Sequence, residues 1–540
     1  MVRNLDRAER KFDIMQALGT DLLLVCSNTK ATALNDDARA AADLHAMAER
    51  AGCRGLRVGF EALSWGTHIR LWHHAWRVVQ KADHKALGLV VDSFHTLALR
   101  DEPAGIADVP GERIFFVQLA DAPLREMDVL SWSRHYRNFP GQGDLPVNDF
   151  VRAVLASGYA GPLSLEVSND HFRAASPSQV ACDGLRSLIL AEAAATQPNP
   201  LPPMVETAGI EFLEFAVDEA SGLALTEWLG KLGFRLAGRH RSKNVALFRQ
   251  GRLKVVLNAE SDSAAAWHFE THGPSVCAIA LRVDDPAAVV ARARALLILD
   301  WNEPPGVGER RMMAVRDPSG LLVNLVGDGE FWADDFHLFA SDVPEGELTG
   351  IDHLAVALLP GQTDSFLLFW RALFDLQPQQ ILDVPDPYGL IQSRAMANAS
   401  GTLRLTFNES QGRDTATTRF VSTASGAGVH HIAFSTDNAA TELRRAQAAT
   451  LDLLSIPRNY YEDLQARVDI PDPETAELAR LGLLYDRDPA GEFRHAYTDT
   501  FQKRFFFEIV ERRGYGGFGA VNAPVRMAAQ SRHISSGAKS

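Results

Sequence analysis

The sequence predicts two kinds of domain in tandem: an N-terminal α/β domain of the parallel-barrel kind, and a C-terminal α+β domain of repeated strand–helix–strand modules. Three observations carry this. Over the first 190 residues, short apolar runs alternate with helical stretches, the signature of a parallel sheet. Four of those runs, LRVGFEAL, LGLVVDSF, IFFVQLAD and GPLSLEVS, each end in an oxygen-bearing side chain: Glu61, Asp92, Gln118 and Glu166. Parallel α/β barrels assemble their sites at such carboxyl ends. Beyond residue 208 a pattern of strand, helix and further strands recurs, starting near Ile210, Val276, Ile351 and Val429. GIEFLEFAVD matches GIDHLAVAL, and SVCAIALRVDD matches GVHHIAFSTD, as duplicated modules do.

In chain order, residues 1–20 place Leu5, Phe12, Met15 and Leu18 at helical spacing, with Gly19 at the end. A strand follows in DLLLVCS and an Ala-rich helix over 36–51. The four ligand-bearing runs, read as strands buried on both faces, complete a set of five near 21–26, 56–61, 87–92, 114–119 and 163–167. A closed barrel needs eight strands, so the expectation is that either the barrel lacks its first ones in this polypeptide or the start assigned to the chain is too far downstream. Prolines after an Ala-rich helix end mark a linker over 191–208. The two halves of the second domain are expected over 209–335 and 345–520, and residues 521–540 read as a loose tail.

Bulk properties narrow the function. Lys and Arg number 54 against 68 Asp and Glu, a net charge of −14, which disfavours nucleic acid and anionic membrane as partners. A small anionic substrate stays compatible through local positive charge and metal, and so does assembly into a homo-oligomer. Cys26, Cys53, Cys182 and Cys277 lie far apart with no CxxC spacing, which fits a reducing compartment and a cytoplasmic location. No apolar run reaches membrane-spanning length.

Three carboxylates and an amide at four strand ends suit a hard divalent cation, Mg²⁺, Mn²⁺ or Co²⁺. The segments FEALSWGTH, VVDSFHTL, FVQLADAP, RNFPGQGD and SLEVSND together resemble the xylose-isomerase-like superfamily of TIM-barrel sugar phosphate isomerases and epimerases. More narrowly they resemble the bacterial two-domain 3-dehydroshikimate dehydratases, in which such a barrel is fused to a module like 4-hydroxyphenylpyruvate dioxygenase. The resemblance implies that Glu61, Asp92, Gln118 and Glu166 hold one metal, and that His95 moves the proton. It also implies about three further strands before residue 1. Dehydration next to a ketone needs an electrophile for the ketone oxygen and an acid–base group of suitable pKa. The substrate carboxylate needs a cation, for which Arg137 is the candidate, with Ser133 and His68 as hydrogen-bond partners.

The repeated modules resemble the vicinal-oxygen-chelate fold of 4-hydroxyphenylpyruvate dioxygenase. The resemblance places a second metal, Fe²⁺ or Mg²⁺, on His353, His431 and Glu508, and leaves Phe212, Ala278 and Asn324 at the equivalent positions of the first half. Two imidazoles and a carboxylate suit Fe(II) oxygen chemistry. The neighbouring His430 should point to the opposite face of its strand. The C-terminal GYGGFGAVNAPVRMAAQ departs from the dioxygenase's closing helix, which argues for a structural or regulatory metal there. The function expected is formation of protocatechuate from 3-dehydroshikimate. The alternatives are a 4-hydroxyphenylpyruvate dioxygenase-like oxygenase and a sugar phosphate isomerase or epimerase.

Overall fold

The computed structural model describes residues 2–172, 175–302, 305–306, 308–327, 329, 332–339, 346–379 and 381–537. The chain divides into two compact units, Met1–Leu201 and Pro202–Ser540. Among the described residues no helix is long and apolar enough to cross a membrane, and the four cysteines are free.

The first unit is organised by five parallel strands lying side by side in chain order: β1 (Leu22–Cys26), β2 (Arg57–Glu61), β3 (Leu87–Asp92), β4 (Ile114–Leu119) and β5 (Leu163–Leu165). Helices such as Asp37–Gly52, Trp72–Ala82 and Val147–Ala156 connect them and cover the sheet. Their buried faces supply Leu44, Val78, Val79, Phe150 and Val154, which join Val58, Phe60, Leu89, Val91 and Leu119 in one core. The strand β3 reads LGLVVD and is buried throughout because it has a partner on each side. Gly88 is required there: a Cβ would lie 2.5 Å from the Phe115 ring of the next strand. The outer strands β1 and β5 are half-exposed, so burial on both faces, expected of the run ending at Glu166, is not seen. An edge strand has neighbours on one side only. The N-terminal helix spans Val2–Leu18, buries Leu5, Ala8, Phe12 and Met15, and ends at Gly19 with φ +71°.

The second unit contains the duplication. In its first sheet, strand Thr207–Ala216 pairs antiparallel with Ser275–Val283, and each has a parallel partner, Leu253–Asn258 and Leu322–Val326. The second sheet repeats the scheme. Leu348–Ala357 pairs antiparallel with Gly428–Thr436, and the parallel partners are Arg404–Glu409 and Phe506–Arg513.

Three expected boundaries are corrected. The segment 191–208 begins inside the helix Pro177–Ala195, because AEAAA continues it, and ends inside the strand starting at Thr207. The first half runs past residue 335, since Phe336–Leu338 adds a strand beside Arg235–His240. Over its described residues the expected loose tail is instead a helix, Ala523–Gly537, with Arg526, Met527, Ala529 and Gln530 buried, and positions 538–540 lie outside the described residues. Met527 packs with Val384 and Ile391. Its small residues let the helix lie close to its neighbours, so a composition that reads as featureless is that of a docked helix.

Candidate functional site

In a parallel sheet, side chains two residues apart point the same way, so the register decides which strand-end groups converge. Cys26 is level with Glu61, Glu61 with Val90, Asp92 with Gln118, and Gln118 with Ser164. Counting in twos, Glu61, Asp92, Gln118 and Glu166 share one face. Glu166 lies just past β5, still tied to the sheet by its N–H on the Leu119 carbonyl at 3.0 Å. All four side chains are thereby directed to one side of the sheet.

His95 joins them through a short helix, Ser93–Leu97, capped by Asp92, whose Oδ1 accepts from the His95 backbone N–H at 2.9 Å. One ligating atom from each of Glu61, Asp92 and His95 falls within 4.8 Å of the others. His95 Nδ1 is 3.0 Å from Ser64 Oγ, its Nε2 is 3.8 Å from Glu61 Oε1, and the Trp65 ring meets it edge-on.

Arg137 supplies the positive charge. Its Nη1 donates to Asp92 Oδ2 at 2.8 Å and to Glu166 Oε2 at 3.1 Å, and its Nε donates to Ser133 Oγ at 3.0 Å. The guanidinium lies over the Phe94 ring, and its Nη2 is 3.3 Å from His95 Nε2. Asp121, after β4, holds the loop that carries Arg137: its carboxylate accepts from the N–H groups of Ala122, Gly141, Gly143 and Leu145. A Cβ on Gly143 would collide with that carboxylate. Asn169 bonds the Arg137 carbonyl and the Asn138 side chain.

Three carboxylates facing one guanidinium leave excess negative charge. Burial, then Asp92 and Glu166, push Glu61 up to about 8. Burial and Asp92 also raise Glu166, whereas Asp92 is held down against its burial by Arg137 and His95. Burial lowers His95 to about 4. Glu61 Oε1 and Gln118 Oε1 are buried without any hydrogen-bond partner. Two orphaned oxygens on one face of the sheet, that of Glu61 next to Asp92, fit a hard divalent cation. His68 is not brought to this group: its Nε2 faces the Ala33 carbonyl at 2.9 Å, in a separate cavity beside Val25 and Asn4. Arg137 has its charge turned onto Asp92 and Glu166 rather than away from them.

The second cluster spans three adjacent strands of the second sheet. His353 Nε2 and His431 Nε2 are 3.0 Å apart and lie 3.2 and 3.1 Å from Glu508 Oε2, all three side chains being buried. His353 Nδ1 faces Asp352 Oδ1 at 2.8 Å, and Arg512 holds that carboxylate with two hydrogen bonds of 2.8 Å. Glu508 Oε1 faces His495 Nδ1 at 2.7 Å, and His495 Nε2 faces Asn522. With Nδ1–H of His353 given to Asp352, its Nε2 offers a lone pair to the centre, as metal ligands backed by a carboxylate do. Burial pushes His353 down, but Glu508 and Asp352 raise it to about 9; burial takes His431 to about 4. A carboxylate oxygen and two facing nitrogens, with no aligned hydrogen bond to Glu508 Oε2, fit a cation. His430 turns away, its Nε2 on Asn408.

The register also equates the halves. His353 is level with Ala433 and Ala433 with Glu508; Phe212 is level with Ala280 and Ala280 with Asn324. The side chains that sequence reasoning missed are Asp121, Asn169 and Ser64 at the first cluster, and Asp352, Arg512, His495 and Asn522 at the second. Asp352 was legible in GIDHLAV as the neighbour of a ligand; the others are brought in by pairing or loop geometry.

Comparison with known proteins agrees with this division. Residues 2–189 match a family model described as xylose isomerase-like TIM barrel, and 200–333 match the N-terminal model of hydroxyphenylpyruvate dioxygenase. Residues 350–491 match the glyoxalase/bleomycin resistance protein/dioxygenase superfamily. The chain is 50% identical to a 3-dehydroshikimate dehydratase of Pseudomonas putida, covering 99% of this chain and 88% of that one. It is 50% identical to a namesake from Pseudomonas aeruginosa, covering 98% and 87%. A 4-hydroxyphenylpyruvate dioxygenase of Pseudomonas aeruginosa is 31% identical over 60% of this chain and 93% of its own. A solved xylose isomerase-like TIM barrel/4-hydroxyphenylpyruvate dioxygenase fusion protein superposes with a TM-score of 0.91 at 49% identity, covering 98% of this chain and 87% of that one.

Proposed function

We infer that this chain, which belongs to the family of two-domain 3-dehydroshikimate dehydratases, removes water from 3-dehydroshikimate to give protocatechuate (3,4-dihydroxybenzoate), a step of quinate and shikimate breakdown. The observation that carries this is the convergence of Glu61, Asp92, His95, Arg137 and Glu166 at the carboxyl ends of parallel strands. We assign the metal of this site to Glu61, Asp92, Gln118 and Glu166, and its class to Mg²⁺, Mn²⁺ or Co²⁺, since the donors are all oxygens. What such a cation supplies is polarisation of the ketone and stabilisation of the negative charge that develops on its oxygen.

The chain's own groups account for the proton. His95 Nδ1 accepts from the Ser64 backbone N–H at 3.3 Å, and Nε2, 3.8 Å from Glu61 Oε1 and 3.3 Å from Arg137 Nη2, is the nitrogen we assign to the proton transfers. It takes the proton beside the ketone and returns one to the hydroxyl that leaves the neighbouring carbon, so one water departs. Tautomerisation of the remaining ring gives the catechol acid. Arg137, held by Ser133 and cushioned on Phe94, is the cation we place against the substrate carboxylate, a role for which its guanidinium has to leave Asp92 and Glu166, which hold it in the structure. His68 is given no role.

The test is catechol-acid formation from 3-dehydroshikimate, followed by ultraviolet absorbance. Glu166→Ala is expected to abolish it, and His95→Ala to lower the rate at least a hundredfold. A near-normal rate in His95→Ala would assign the proton transfers to the carboxylates, as in an isomerase. For the second cluster we propose a bound divalent metal, Fe²⁺ or Mg²⁺, on His353, His431 and Glu508. We place the protein in the cytoplasm, in keeping with its four free thiols.

A further inference from the structure

We propose that the half of the duplicated module without metal ligands holds a binding site for a small planar aromatic carboxylate. A cavity of about 410 Å³ opens within this half and is lined by Phe212, Ala278 and Asn324. Strand register makes these the counterparts of His353, His431 and Glu508. The fold has thus kept the hollow and changed its chemistry. In place of an imidazole stands Phe212, whose ring meets Trp332 edge-on at 5.1 Å; Trp332 in turn lies 5.5 Å from Phe336. Aromatic walls of this kind favour a flat ring.

The polar groups of the cavity are not equally partnered. Its carboxylates are answered from within: Glu309 by Lys243 at 2.9 Å, Glu214 by Asn258 at 2.7 Å, and Asp335 by the Arg310 N–H at 2.9 Å. Arg316 is different. Its guanidinium lies 4.0 Å over the Trp301 ring, and Nη1 donates to the Gly320 carbonyl at 2.7 Å. Among the described residues no carboxylate forms an ion pair with it, and the adjacent Asp317 is turned to the backbone of Ser319 and Leu321. A half-buried guanidinium lining a cavity with aromatic walls matches a carboxylate borne by a planar ring. The free product of the barrel reaction and any other single-ring aryl acid share this chemistry.

The test is calorimetric titration of the full-length protein with 4-hydroxybenzoate. Saturable binding is expected, with the uncharged 4-hydroxybenzamide and the non-planar cyclohexanecarboxylate at least tenfold weaker. Arg316→Met is expected to weaken binding at least tenfold and Arg316→Lys by less, whereas Arg137→Met in the barrel leaves it unchanged. No saturable binding at millimolar concentration, or equal binding of acid and amide to the unmodified protein, overturns the proposal. So does loss of binding in Arg137→Met with none in Arg316→Met, which would place the ligand in the barrel. If Arg316→Met does not fold, the comparison of acid and amide on the unmodified protein decides. Repeating the titration with 3,4-dihydroxybenzoate separates the enzyme's product from aryl acids in general, and neither result depends on the dehydratase reaction.

Discussion

At the scale of single residues, the side chains behind the ligands govern how firmly a cation is held. Asp352 orients His353 and is itself clamped by Arg512. Asp352→Ala is therefore expected to lower metal affinity at the second cluster 10–100-fold, read by metal titration, while the ligands themselves remain. Asp317 offers a pH test of a different kind. Burial pushes its carboxyl up from 3.8 to about 6, against hydrogen bonds from Ser319 and Leu321. The native chain thus keeps a proton that the unfolded chain has released, and stability falls as pH rises from about 4 to about 6. Asp317→Asn preserves the acceptor. It should match the parent below about pH 4 and exceed it above pH 6, by up to about 3 kcal/mol in chemical denaturation. Of the residues at the first cluster, Glu61, Asp92, Gln118 and Glu166 were legible because a strand-end oxygen after an apolar run is a local pattern. His68 shows the limit of that reading: a histidine a few residues beyond a ligand shares its loop but is bonded elsewhere, to the Ala33 carbonyl.

At the scale of elements, apolar runs and glycine stops located the barrel strands and the first helix, because burial and chain reversal leave marks within a few residues. The helix Ala523–Gly537 left none, since its apolar contacts are few and its partners are distant in sequence. Those partners still matter. Met527 fills a space between Val384 and Ile391, and the Arg526 guanidinium lies over Tyr497 and over Phe506, the ring stacked on His431. Truncation after Asn522 is expected to cost about 2–5 kcal/mol from the loss of Met527 alone, seen as a lower melting temperature. It should also weaken metal binding at His353, His431 and Glu508.

At the scale of the whole molecule, duplication was visible in the sequence as matching strand openings, whereas the register that equates Phe212 with His353 is a property of the folded sheet. Both clusters should bind, so metal analysis of the native protein is expected to give two equivalents per chain and His353→Ala one. The three ligands of the second cluster sit on Leu348–Ala357, Gly428–Thr436 and Phe506–Arg513, strands bonded edge to edge. A cation there acts as a rivet through all three. Backbone amides of those strands should exchange with deuterium more slowly when metal is present. Those of Thr207–Ala216, Ser275–Val283 and Leu322–Val326, joined by the same ladder with nothing to fasten them, should exchange alike with and without it. One polypeptide thereby carries a metal-responsive sheet together with its own blank.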